Sequence, residues 1–149
     1  MKVLKNILVA VDFNDTVGEL MSYAESFAEK HGAKLWVVHV AAPNPDFVGY
    51  ETGPQYIRDL RADELQDEHK KLQQICEMFI KPEIDSDALL IQGSTVETVL
   101  EEAKKLKADL LIVGTHQRSF FYNLFDESVS IELFKNAKIP LLSIPIQEV

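Results

Sequence analysis

Two places in this chain set side chains of useful chemistry beside buried apolar runs. Asp12 ends the run ILVAVD and is followed by Phe13-Asn14-Asp15, so a carboxylate stands where a strand gives way to a helix. It can accept hydrogen bonds from a ligand there, or it or Asp15 can cap the helix through free backbone amides. The second place runs from Gly114, at the end of DLLIVG, to Ser130. Glycine there permits positive φ and lets backbone amides approach an anion. Arg118 supplies a cation, and Ser128 and Ser130 supply hydroxyls near a helix start, where anions are favoured. His116 is either a ligand contact or an imidazole satisfied by solvent or backbone, and Ser128 is either a ligand contact or an ordinary N-cap. Arg118 and His116 could together hold a smaller anion, which leaves a carrier of another small metabolite as one alternative. The chain has no P-loop ending in Gly-Lys-Ser/Thr, no spaced Cys/His metal set and no serine between nucleophile-elbow glycines, so no catalytic or metal residue is assigned.

Short apolar runs at Ile7 to Val11, Leu35 to Val40, Ala88 to Ile91, Leu110 to Val113 and Leu141 to Ile146 predict five strands covered on both faces. Helical spacing of Val17, Leu20, Met21, Ala24 and Ala28, with Gly32 as a stop, fills the first interval. Tyr56 to Ile80 is a charged but periodic helix ended by Lys81-Pro82, and the Pro- and Gly-rich Ala41 to Gln55 before it reads as a long loop. Ser94 and Glu97 predict a capping box for a helix buried through Val96, Val99, Leu100 and Ala103. Val129, Leu133, Phe134 and Ala137 predict one apolar face for the last helix. Strands alternating with helices make this a three-layer α/β domain with a mainly parallel sheet, one domain over residues 1–149.

Composition narrows the partners. With 15 basic against 24 acidic side chains, the net charge of -9 repels nucleic acid and anionic membranes. No apolar run approaches the roughly 20 residues needed to cross a bilayer. Met1-Lys2-Val3-Leu4-Lys5 leads into a strand rather than a cleavable signal, so a cytoplasmic location is expected. The one cysteine, Cys76, shares an apolar helical stripe with Leu65, Leu72 and Phe79 and is expected to be a buried structural thiol rather than a reactive one.

Asp12 after its strand, Gly114 followed by Ser128-Val129-Ser130, the stretch GSTVETVLEEAKKLKADLLIVG and the terminal IPLLSIPI, in that order along nearly the whole chain, resemble the universal stress protein family. The resemblance implies an adenine nucleotide α hydrolase-like sheet of strand order 3-2-1-4-5, with the ligand where the order reverses. It implies that Asp12 meets adenine or ribose, that Val40 packs near the adenine, and that Gly114, Ser128, Val129 and Ser130 surround phosphate. The family's pattern is Gly, two residues, Gly, nine residues, Gly, then Ser or Thr; here the later glycine positions hold Gln117 and Glu127. A Glu carboxylate about 4 Å from a phosphate opposes binding by about 4 kcal/mol at an effective dielectric of 20. Phe120, Phe121, Tyr122 and Phe125 either fill the crevice or face a partner.

The expected function is therefore a cytoplasmic, dimeric regulatory or protective module of the stress response with weak or no ATP binding and no required cofactor. The alternative is a nucleotide-dependent switch or weak ATPase in which Asp12, Gly114, Arg118, Ser128 and Ser130 hold ATP or AMP. The homodimer is expected to form through Leu141, Leu142, Ile144 and Ile146, an apolar segment that would be a hazardous sheet edge if uncovered. A further protein partner is left unidentified.

Overall fold

In the computed structural model the described residues alternate between strand and helix throughout: β1 (Asn6–Ala10), α1 (Val17–His31), β2 (Lys34–Ala41), α2 (Gln55–Phe79), β3 (Ser86–Gln92), α3 (Thr95–Lys105), β4 (Leu110–His116), α4 (Glu127–Asn136) and β5 (Leu141–Ile146). The structure describes residues 1–13, 17–41, 55–116 and 127–146, and for 55–61, 116 and 127–130 the backbone alone. The strands form one parallel sheet in the order β3-β2-β1-β4-β5, as the family resemblance implies.

Successive strand residues point to opposite faces, so a strand covered on both sides must be apolar at every position. Ile7, Val9 and Val11 join Leu35, Val37, Leu20, Met21 and Leu72 in the core under α1 and α2. Leu8 and Ala10 join Val38, Val40, Leu111, Val113, Val99 and Leu133 under α3 and α4. Each such aliphatic side chain, fully buried, contributes about 1.5–3 kcal/mol relative to exposure.

The helix ends follow from local chemistry. Past α1, Ala33 N–H donates to the Ala28 carbonyl at 3.0 Å and Gly32, at φ 61°, makes the left-handed turn. α3 ends in the same way: Ala108 N–H reaches the Ala103 carbonyl at 2.9 Å, and the left-handed residue is Lys107, at φ 54°.

Three sequence expectations change. Ser94 is the N-cap residue of α3, but its hydroxyl makes no cap bond to the backbone and instead donates to Glu97 Oε2 at 3.2 Å, so the capping box is not formed. Phe134 does not share the buried face of α4 with Leu133: it is 57% exposed, because neighbouring residues on a helix lie about 100° apart and only one of them can face the sheet. Cys76 is half-buried rather than buried, at the margin of the α1–α2 core, although desolvation still pushes its thiol up to about 11, as expected of an unreactive group. The long loop lies outside the described residues except at Ala41 and Gln55, which belong to β2 and α2.

Candidate functional site

The crevice follows from where hydrogen bonding stops. β1 pairs with β4 from Ile7↔Leu110 to Val9↔Ile112 and no further among the described residues. On its other side β1 stays with β2 through Ala10↔Val38, and Val11 N–H still donates to the Val38 carbonyl at 2.9 Å. β4 meanwhile stays with β5 as far as His116↔Ile146. The two halves of the sheet therefore part at the carboxyl ends of β1 and β4, the point at which open α/β sheets bind ligands.

At the other end the same two strands are tied together. Lys5 and Asn6 N–H both donate to Asp109 Oδ2, at 2.8 and 3.0 Å, and Asp109 N–H donates to the Asn6 carbonyl at 2.7 Å. The bonds from Asn6 and Lys5 hold the Asp109 carboxyl below its ordinary range.

Asp12 lies two residues past β1 at the open end, its side chain only 12% exposed. Its Oδ1 is 4.0 Å from Nδ1 of the buried His39. That nitrogen donates to the Val11 carbonyl at 2.7 Å, and the imidazole lies 4.2 Å from the Phe13 ring, tilted by 35°. Lys71 of α2 brings its Nζ to 6.0 Å from the same ring. Val40, next to His39, is fully buried in the opposite core and pairs with Ile91.

Gly114 is buried within β4, on the strand adjoining β1, and is flanked by Ile146: a Cβ at Gly114 would sit 2.5 Å from Ile146 Cδ1 and 3.3 Å from Ile146 Cγ1. His116 is the last residue of β4. Ser128, Val129 and Ser130 fall in the first turn of α4, directly after its first residue, Glu127. The helix thus starts before Ser128, which places that serine inside it rather than at its N-cap. Gln117, Arg118 and the aromatic residues 120–125 lie outside the described residues. The structure therefore gathers Asp12, Phe13 and His39 at one end of the sheet and sets Gly114 across the gap from them. No group of three or more His, Cys, Asp or Glu that could hold a metal occurs among the described residues.

Residues 4–145 match the universal stress protein family. The chain belongs to that family. A universal stress protein of Thermus aquaticus, encoded in the 3′ region of a QAH/OAS sulfhydrylase, is 32% identical over 140 residues, 93% of this chain and 96% of that one. The universal stress protein from Archaeoglobus fulgidus in complex with dAMP superposes with a TM-score of 0.63 at 17% identity, over 96% of this chain and 99% of that one. A universal stress protein in complex with cAMP gives 0.60 at 19% identity, over 96% and 98%. These structures share the fold, and two universal stress proteins of this fold bind cyclic or deoxy adenine nucleotides.

His39 and Phe13 are not among the site residues expected from the sequence. The signal was present: a histidine inside the otherwise apolar strand run LWVVHVA must find a hydrogen-bond partner when buried.

Proposed function

We propose that this universal stress protein acts as a homodimeric regulatory or protective module in the cytoplasm, with a crevice that binds ATP weakly or not at all. The observation that carries the reading is the setting of Gly114. Its lack of a side chain is accounted for by Ile146 packed against it, so the one glycine kept from the family's phosphate pattern answers a packing need. Gln117 and Glu127 occupy the other two glycine positions, and Glu127 adds a negative charge at the start of α4, where phosphate would lie. The opposite side of the crevice is kept: Asp12 can accept hydrogen bonds from ribose hydroxyls, and AMP, with a single phosphate, meets less of the repulsion than ATP.

Calorimetry with ATP and magnesium tests this. No micromolar site is expected, and Gln117→Gly with Glu127→Gly should improve binding by restoring backbone access and removing a charge. A stoichiometric micromolar site that weakens on Asp12→Ala establishes the rival reading, a nucleotide-dependent switch or weak ATPase, which the cAMP and dAMP complexes of relatives support.

The dimer is proposed through β5, an edge strand of the sheet. Ile144 and Ile146 are buried within the protomer and Leu142 packs on the same core, so β5 offers a partner mainly its backbone edge. Pro145, which lacks an N–H, places the centre of pairing before it.

A further inference from the structure

His39 addresses three consecutive residues at the end of β1. The Val11 carbonyl can only accept, so Nδ1 of His39 carries the proton of their 2.7 Å hydrogen bond. The same nitrogen lies 4.0 Å from Asp12 Oδ1, and the ring stacks on Phe13 at 4.2 Å. The β1–β2 ladder ends at Ala10↔Val38. Beyond it, Val11 keeps one backbone bond to β2, and the imidazole supplies the next attachment. Alternation along β2 turns His39 toward the α1–α2 layer while Val38 and Val40 face the other core. A side chain only 8% exposed and bonded in this way has one orientation, and the chain leaving β1 takes its direction from it.

We propose that His39 is a positioning residue of the crevice: by holding Val11 and Phe13 it aims the Asp12 carboxylate at a ligand that offers paired hydroxyl donors, the ribose of a nucleoside monophosphate. The proposal rests on the reading of the Asp12 side of the crevice as a ligand site. His39 does not touch the ligand and acts through Asp12, which separates it from a binding residue. The donor at Nδ1 is the part that matters, so replacements divide by reach. In His39→Asn the amide nitrogen takes the place of Nδ1 and can donate to the Val11 carbonyl. In His39→Gln it lies one carbon further out, and in His39→Phe the ring is kept without a donor.

The test is titration of the full chain with AMP, followed by the amide resonances of Asp12, Phe13 and Val40, with thermal melts of every variant. Asp12→Ala and His39→Phe are each expected to weaken AMP by about five- to tenfold, the scale of one hydrogen bond. His39→Asn should stay within about twofold of the wild type, because its single amide restores that bond. The double variant Asp12→Ala/His39→Phe should bind no more weakly than Asp12→Ala alone, since a positioning residue has nothing left to position. Should His39→Phe fail to fold, His39→Asn against His39→Gln carries the same comparison. Wild-type affinity in folded His39→Phe or His39→Gln, or losses that multiply in the double variant, would overturn the role of His39 while leaving the ligand site standing. Absence of AMP-induced shifts in the wild type would overturn the ligand-site reading and the proposal with it.

Discussion

Lys107 ends α3 in the left-handed conformation that Gly32 supplies at the end of α1. A side chain with a Cβ is strained there, and glycine is not. Lys107→Gly is therefore expected to stabilise the protein by about 0.5–1 kcal/mol, and Gly32→Ala to destabilise it by about 1 kcal/mol, both read from urea unfolding. Gly114 depends on space rather than on φ. Gly114→Ala sets a methyl against Cδ1, the flexible end of the Ile146 side chain, and should cost about 1 kcal/mol, the low end of the range for an overpacked core. Ile146→Val removes the Cδ1 atom that the new methyl would meet. The double variant should thus lose less than the sum of the single losses, and strict additivity would show that Gly114 answers to something other than Ile146.

The elements were legible in the sequence because parallel strands buried on both faces read as unbroken apolar runs, as at Ile7 to Val11, and because α1 keeps its apolar stripe from Leu20 to Ala28. Periodicity could not place Phe134, since it finds an apolar face without telling which side of that face meets the sheet. Asp12 and Gly114 were legible as candidates because each closes an apolar run in the sequence, ILVAVD and DLLIVG. His39 escaped because its partner is a backbone carbonyl 28 residues away, which no local spacing reveals. A second long-range contact of this kind, Asp109 with the amides of Lys5 and Asn6, ties the foot of β1 to β4 and carries a pH dependence. The folded carboxyl is depressed below its unfolded value of about 3.9, so its stabilisation is fully present above that pH and is lost as pH falls through the folded value. Asp109→Asn should lower the melting temperature at neutral pH, and the gap from wild type should close below about pH 4. A gap of constant size across that range would show that the charge of Asp109 contributes nothing.

At the scale of the whole molecule, the edge that β5 presents continues onto α4. α3 packs on β2 and α4 on β4, so the side of α4 away from α3 lies toward the β5 edge. Leu133 faces the sheet, and Glu132 and Asn136 line a groove shared with α3, which leaves Phe134 on that far side. An aromatic ring 57% exposed beside a strand edge that is unpaired among the described residues is the kind of side chain that anchors an interface, and a two-fold axis would place two copies of it in the same contact. Leu142 packs against the protomer's own core, so Leu142→Lys perturbs folding as well as pairing. Phe134→Asp separates the two effects. It should leave the circular dichroism and the melt of the protomer nearly unchanged while weakening dimerisation by at least about tenfold, the loss expected of an interface hot spot. Sedimentation equilibrium over a range of protein concentrations reads this directly; a wild type that stays monomeric at micromolar concentration would overturn the dimer, and a Phe134→Asp dimer of wild-type affinity would place the contact elsewhere.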